Sequence, residues 1–409
     1  MPKILRRGTY GVDLKHRFGF LPYLPKSGKK RLWIQAVSVG EVNAIMRLVT
    51  LLSQEYEIVL TTTTTTARKM IEERLLESIL LHGYFPWDFY PCSCLAWSRL
   101  QPDGIVLVES ELWPEHMAQA KRRHVPIFLV NGRLSDRSFS RYCRFPKLGR
   151  WIFNPLDFIA AASEQDRARI ASFYDKKIDN FSNMKFDSAV PLLSPLERKN
   201  LKEALGFDNN ALVIAGCSTW PGEEALLLKA LGKIWESQEK MGRKFALLLV
   251  PRHAERCRAL IQWLKNECIL FSQRSLGVAT KKVPLCLGDV TGELAQLVQI
   301  ADLAYIGKSL APNEGGQSPI DAAMAGIPII YGDRMTNFRD ICEQLERENA
   351  AIKVKNEDEA IEAIVGLAGN AQRRQILAKN VRRCFESNRG ASVKTYDFIR
   401  KGLGSFHWA

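Results

Sequence analysis

Short apolar runs alternate with helical patterns along most of the chain. Leu32 to Val37 (Leu-Trp-Ile-Gln-Ala-Val) reads as a buried strand, and Val42, Ile45, Met46 and Val49 follow at helical spacing. A second run begins at Glu57 to Leu60 and continues into six threonines, Thr61 to Thr66. Threonine suits both a strand end and a helix cap, so this run is predicted to end one element and open the next. Gly104 to Val108, Pro126 to Val130 and Phe158 to Ala162 read as further parallel strands. The pattern then restarts, with strand-like runs at Leu212 to Ala215, Leu247 to Val250, Leu303 to Ile306 and Ile327 to Tyr331. From about Glu357 the chain is helical, and it closes in a basic, aromatic tail, Lys401 to Ala409.

Strands alternating with helices predict an α/β fold with doubly wound parallel sheets. The restart predicts two Rossmann-like domains. The irregular segment Phe181 to Ser194, with Pro191 inside it and Pro195 just after it, marks the boundary between residues 1–186 and 187–409, and the terminal helices are free to pack back on the first domain. A length of 409 residues fits two such cores better than one. Ligands of open α/β sheets bind outside the carboxyl ends of the strands, so two facing sheets predict one shared cleft.

Charge narrows the range of partners. Fifty-eight Lys and Arg against 44 Asp and Glu leave a net charge of +14. This favours an anionic partner: nucleic acid, a phosphorylated substrate or an acidic membrane. The opening segment is especially basic (Lys3, Arg6, Arg7, Lys15, Arg17, Lys26, Lys29, Lys30, Arg31), with Phe18-Gly19-Phe20-Leu21-Pro22 among the charges. It reads either as a solvated tail or as a segment facing membrane or substrate. Nine scattered cysteines without a Cys-x-x-Cys pair predict reduced thiols, hence a cytoplasmic location. No apolar run reaches the ~18 residues of a membrane span.

The candidate chemistry lies where strands end. Val37-Ser38-Val39-Gly40-Glu41 places a carboxylate at a helix start, where it can cap the helix or act as a general base. Glu109-Ser110-Glu111-Leu112-Trp113-Pro114-Glu115 follows another strand. Glu109 and Glu111 point to one face if the segment is extended, while Glu115 suits a helix's first turn. Asn131-Gly132-Arg133-Leu134-Ser135 offers Arg133 to a phosphate or sugar acid, or to solvent. Lys185 sits in Ser182-Asn183-Met184-Lys185-Phe186-Asp187, as a linker lysine or one that reaches a ligand.

The second half repeats this arrangement. Ser218 and Thr219 lie in Gly216-Cys217-Ser218-Thr219-Trp220-Pro221-Gly222-Glu223-Glu224 and can cap a helix or bind an anion. Arg252, in Pro251-Arg252-His253, is placed for a phosphate. Gly288 to Leu294 forms another strand-to-helix turn. The run Gly315-Gly316-Gln317-Ser318-Pro319-Ile320-Asp321 predicts glycine N–H groups turned toward an anion and a helix starting near Ser318. Asp321 is then either a first-turn charge or an acceptor for ribose hydroxyls. There is no Walker loop, no Gly-x-Gly-x-x-Gly in the first domain and no Asp-x-Asp, and the six histidines lack zinc spacing.

Taken in order, these segments resemble the Kdo (3-deoxy-D-manno-octulosonic acid) transferases of lipopolysaccharide synthesis. The signatures are Val37-Ser38-Val39-Gly40-Glu41, Glu109-Ser110-Glu111-Leu112-Trp113-Pro114, Asn131-Gly132-Arg133-Leu134-Ser135, Val250-Pro251-Arg252-His253 and the Gly288 to Leu294 turn. The resemblance runs from about Arg6 to the last helices. It implies a GT-B fold, CMP-Kdo as donor, a lipid A precursor such as lipid IVA as acceptor, and no cofactor or metal. By the family pattern Glu41 is the general base of an inverting transfer, and Glu109 and Lys185 stabilise the transition state. Pro251, Arg252, Thr291, Gly292, Glu293, Ser318, Pro319, Ile320 and Asp321 match positions that hold the CMP. Glu111, Arg133, Ser218, Thr219, Gly315, Gly316 and Gln317 are further candidates.

The chain departs from the family where Gln317-Ser318-Pro319-Ile320-Asp321 stands for the usual His-Asn-Pro-Leu-Glu. Trp220-Pro221 likewise replaces a more polar pair. The family's apolar N-terminal anchor would end about where this chain begins. The expected location is the cytoplasmic face of the inner membrane, peripheral or through an anchor outside this sequence. The rival readings are another GT-B nucleotide-sugar transferase or epimerase and, more remotely, a basic nucleic-acid-binding protein, which would show motifs absent here.

Overall fold

The computed structural model describes residues 14–187, 191–236 and 243–406. Two compact units divide the chain: Met1–Ser188 together with Asn388–Ala409, and Ala189–Ser387.

The first unit is built on seven parallel strands. They are β1 (Arg31–Gln35), β2 (Glu57–Thr62), β3 (Leu81–Tyr84), β4 (Gly104–Val108), β5 (Ile127–Gly132), β6 (Phe158–Ala161) and β7 (Ile178–Asn180). Their order in the sheet is β3-β2-β1-β4-β5-β6-β7, so the chain reverses direction between β1 and β4. In β4, Ile105, Val106, Leu107 and Val108 are all fully buried, which explains the unbroken apolar run. Alternate residues feed two cores. Trp33, Ile105, Leu107 and Ile127 pack on one face with Trp97 and Met117. Leu32, Ile34, Val106 and Phe128 pack on the other with Val42, Ile45 and Val49 of helix Val39–Leu52.

The last described helix, Ala391–Ser405, belongs to this second core through Ile399 and Leu403. Each such buried side chain contributes roughly 1.5–3 kcal/mol. The approach is close: a Cβ on Gly402 would stand 2.6 Å from the Phe128 ring. Asp187 fixes the start of the helix, its carboxylate accepting from the Gly390 and Ser392 N–H groups at 2.7 and 2.5 Å.

The second unit repeats the plan with β8 (Leu212–Thr219), β9 (Phe245–Pro251), β10 (Phe271–Gln273), β11 (Leu285–Leu287), β12 (Leu303–Ile306), β13 (Ile329–Gly332) and β14 (Ala351–Val354). The order is β10-β11-β9-β8-β12-β13-β14, again all parallel, with the reversal between β8 and β12. Its core joins Leu226, Leu227, Ala230, Leu231 and Ile234 of helix Glu223–Glu236 to Leu247, Leu249, Leu303 and Tyr305.

Two basic residues of the opening segment are structural rather than solvated. Arg31 is 1% exposed; it binds Glu57 at 2.7 Å and donates to the Leu24, Pro25 and Leu100 carbonyls. Arg17 donates to the Phe85 and Thr63 carbonyls. Lys3, Arg6 and Arg7 lie outside the described residues, as does the end of the basic tail from residue 407. Among the described residues no helix is long and apolar enough to cross a membrane.

Candidate functional site

In the first unit the candidate residues gather at the carboxyl edge of the sheet, on both sides of the strand reversal. Such a reversal leaves a crevice, because the helices on either side of it cover opposite faces. Ser38 caps helix Val39–Leu52, its hydroxyl accepting from the Glu41 N–H. The Glu41 carboxylate in turn accepts from the Val37 N–H at 2.8 Å and from the Ser38 hydroxyl at 3.0 Å. Ser38 thus caps the helix while Glu41 reaches back past it to the end of the strand segment. The hydroxyls of Thr62, Thr63 and Thr64 all donate to the Val37 carbonyl, at 3.0, 3.2 and 3.4 Å, and so pin the end of β1. Glu41 is 9% exposed, and burial pushes its carboxyl up to about 7. Its two hydrogen bonds oppose that shift, while the charge of Glu109 adds to it.

Across the reversal, Glu109 follows β4 in a left-handed conformation, φ 58°. That conformation is uncommon outside glycine and here redirects the chain. The Glu109 carboxylate receives Lys185 at 2.6 Å, Arg133 at 3.7 Å and the Asn131 amide at 3.4 Å. Asn131 also has positive φ, 50°, beside an irregularity in β5. Its carbonyl accepts from the Met184 N–H, while Asn183 accepts from both the Asn131 amide and the Lys185 N–H. Lys185 is therefore held by its neighbours and paired, not a free linker lysine. Glu111 accepts from the Trp113 indole at 3.0 Å, and burial followed by the charge of Glu41 pushes its carboxyl up to about 8. Glu115 sits in the first turn of helix Pro114–Arg122 and binds Ser93, Gln119 and Arg122, a structural role.

The second unit's candidates lie at the corresponding edge. Ser218, φ 55°, occupies an irregularity at the end of β8. Thr219 is fully buried and donates its hydroxyl to Glu224 at 2.8 Å, so it is not free to bind an anion. Pro251 ends β9, and the exposed Arg252 donates its N–H to the Thr219 carbonyl. Thr291 and Gly292 are exposed, with Gly292 at φ 90°. Glu293 is held by Arg274 at 2.7 Å.

The glycine-rich turn differs from expectation. The Gly315 N–H donates to the Arg334 carbonyl and the Gly316 N–H to the Lys308 carbonyl, both at 3.0 Å. Neither is available to an anion; the glycines serve to close the loop. The helix begins at Ile320, two residues later than predicted, and runs only to Met324. Ser318 accepts from the Ile320 N–H, Pro319 and Ile320 are buried, and Gln317 is half-buried. Asp321 has no side-chain partner among the described residues, and burial pushes it up to about 6. Its charge reaches Cys217 at the end of β8, which places it at the same edge.

Residues 13–188 match a family model described as 3-deoxy-D-manno-octulosonic-acid transferase (kdotransferase). The 3-deoxy-D-manno-octulosonic acid transferase of Bordetella pertussis is 29% identical over 381 residues, covering 91% of this chain and 87% of that one. The enzyme of the same name from Haemophilus influenzae is 29% identical over 402 residues, covering 96% and 92%. The chain is thus similar to Kdo transferases along most of its length.

The Kdo transferases it resembles are glycosyltransferases, and the chain has a GT-B fold of two Rossmann-like domains. The fold also matches the UDP-GlcNAc 2-epimerase of Neisseria meningitidis bound to UDP-GlcNAc. That match has a TM-score of 0.61 at 14% identity and covers 91% of this chain and all of the other.

Two further carboxylates, Glu223 and Glu224, brace the corresponding edge of the second unit. Glu223 accepts from the Trp220, Lys308 and Ser309 N–H groups at 2.8, 2.9 and 3.3 Å, tying the loops after β8 and β12 together. Glu224 accepts from Thr219 and pairs with Arg256 at 3.0 Å. Gly307 is small for this reason: a Cβ there would stand 2.8 Å from Glu223 and 2.4 Å from the Ser218 carbonyl. Two carboxylates opening a helix directly after a strand are the sequence signal for such an anchor.

Proposed function

We propose that this protein moves Kdo from CMP-Kdo to a sugar hydroxyl of a lipid A precursor such as lipid IVA, with inversion. The observation that carries this is Glu41: a buried carboxyl at the strand reversal, gripped by Val37 and Ser38 and pushed up to about 7. A base with that value is matched to neutral pH. Glu41 takes the proton of the acceptor hydroxyl as the oxygen attacks the anomeric carbon of Kdo. The bond to the CMP phosphate breaks, and CMP leaves. Glu109, held by Lys185 and Arg133, faces positive charge developing on the sugar, and Lys185 remains a cation for the sugar acid or a phosphate.

In the donor site Arg252 holds the CMP phosphate. Pro251, the Thr291 to Glu293 turn and the Ser318 to Asp321 segment hold the rest. Asp321, ionised above about 6, accepts from ribose hydroxyls. These fixed cations serve the single phosphate of CMP without a metal. The acceptor and the leaflet that holds it are anionic. The surplus of +14 therefore favours peripheral binding at the cytoplasmic face of the inner membrane, at about 1 kcal/mol per basic residue near the surface.

Incubation of a lipid A precursor with CMP-Kdo, followed by mass spectrometry of the lipid, tests donor, acceptor and number of additions together. The expected product carries one or more Kdo increments, and none forms from UDP-sugars. Transfer from a UDP-sugar alone would sink the reading.

A further inference from the structure

At the amino-terminal edge of the second sheet, Arg198, Lys202 and Arg374 gather around one carboxylate, with Arg382 beside Arg198 and Arg243 beside the other two. Asp302 stands just ahead of β12 and accepts from the Val213 N–H of β8 at 2.8 Å. Lys202, in the last turn of helix Pro195–Ala204, donates to the Ala211 carbonyl at 3.0 Å, and Arg243 donates to the Asn210 carbonyl at 3.2 Å. Arg374 donates to the Ala368 carbonyl at 2.8 Å, at the end of helix Glu357–Gly369. Arg382 lies over the turn ahead of β13, where a Cβ on Gly326 would meet it at 2.4 Å. Arg198, one helical turn before Lys202, feels the charges of both Arg382 and Asp302.

None of the five basic groups makes an ion pair among the described residues. The other carboxylate near Lys202, Asp208, is paired with Lys244 at 2.9 Å. Burial, and repulsion from neighbouring cations, hold Arg198, Lys202 and Arg374 below their ordinary values. The Nε of Arg198 is buried with no acceptor. Capping of strand and helix carbonyls accounts for Lys202, Arg243 and Arg374. It does not account for Arg198 and Arg382, nor for five positive charges set against one negative.

We infer that this cluster is a second anion site that takes a phosphate group, separate from the donor site at the opposite end of the same strands. The eight residues of β8 separate the two edges by about 25 Å. A phosphate supplies several acceptor oxygens and up to two negative charges. That would satisfy the Arg198 Nε and relieve the repulsion at once. The phosphate can come from a free phosphorylated molecule or from a lipid headgroup. The inference does not depend on the identity of the sugar donor.

The test uses the full chain with saturating CMP, so that the donor site is occupied, at constant ionic strength. Calorimetric titration with pyrophosphate should show saturable binding, weakened about tenfold or more in an R198Q/K202Q variant. Without anion, that variant should melt above the wild type, because two repelling charges are gone. If pyrophosphate does not bind but vesicles containing phosphatidic acid do, and phosphatidylcholine vesicles do not, the phosphate belongs to a lipid headgroup; the variant should then lose vesicle binding. Absence of both, affinities unchanged in the variant, or a lower melting point with unchanged affinity would overturn the inference.

Discussion

The two units share one topology and use their carboxylates in opposite ways. In the first, Glu41, Glu109 and Glu111 collect at the strand reversal and are held mainly by side chains and single N–H groups. Burial raises two of them into the neutral range. In the second, Glu223 and Glu224 stand at the equivalent reversal but are consumed by three backbone N–H groups, two hydroxyls and an arginine. Both units also place a non-glycine residue in the left-handed region after the strand on the far side of the reversal: Glu109 at φ 58° and Lys308 at φ 59°. One presents an anion there, the other a cation lying 4.6 Å from the Trp220 ring. The comparison separates acids kept for proton transfer from acids that brace a site.

The largest test of that separation is Glu41→Gln, which should lower kcat by ~10²–10⁴ while circular dichroism stays that of the wild type. Glu223→Ala should do the reverse. Orphaning three N–H groups should lower the stability of the second unit by about 3 kcal/mol in urea unfolding, with rate lost only as far as the protein unfolds. If Glu223→Ala cut the rate as Glu41→Gln does and left stability intact, the comparison would fail. Arg252→Ala should raise KM for the nucleotide donor about tenfold, with a smaller change in kcat.

The smallest effect concerns pH. In the wild type, kcat/KM should rise with pH and level off above about 7, as Glu41 ionises. Glu111→Gln should leave that rise in place, because a carboxyl raised to about 8 is still mostly protonated while Glu41 ionises. Stability should respond with a definite sign. A carboxyl raised to about 8 by folding contributes stability that is complete below the ordinary value of 4.5 and is lost as pH rises through about 8. The variant should therefore gain on the wild type at pH 9 and not at pH 4.

The inner strands were legible because they are buried on both faces. Gly104–Val108 and Leu303–Ile306 have the bounds that the apolar runs predict. The strands missed are β3, β7, β10, β11 and β14, and four of these are sheet edges. Leu-His-Gly-Tyr, Ile-Asp-Asn and Phe-Ser-Gln carry too little apolar surface to stand out from loops. At the site, the threonine run announced a strand end and a cap, but not that three hydroxyls would converge on Val37. The contact of Lys185 with Glu109 spans 76 positions and depends on two left-handed residues, Glu109 and Asn131, which local pattern does not forecast. The glycine pair misled for a related reason. Gly315 and Gly316 were read from composition, and only the loop's closure shows where their N–H groups go.

The return of the chain to its first unit sets an order of assembly during synthesis. Helix Ala391–Ser405 supplies Ile399 and Leu403 to a core whose other members are made hundreds of positions earlier. At a ribosome's pace of about 5–20 residues per second, that core waits about 10–40 s for its last pieces while the whole intervening unit emerges. During that interval Phe128 and Val106 lack their cover, and Asp187 lacks the two N–H groups it will clamp. The later-made unit is thus the one able to finish folding first. A nascent chain halted before Asn388 would carry a completed second sheet and an open first one.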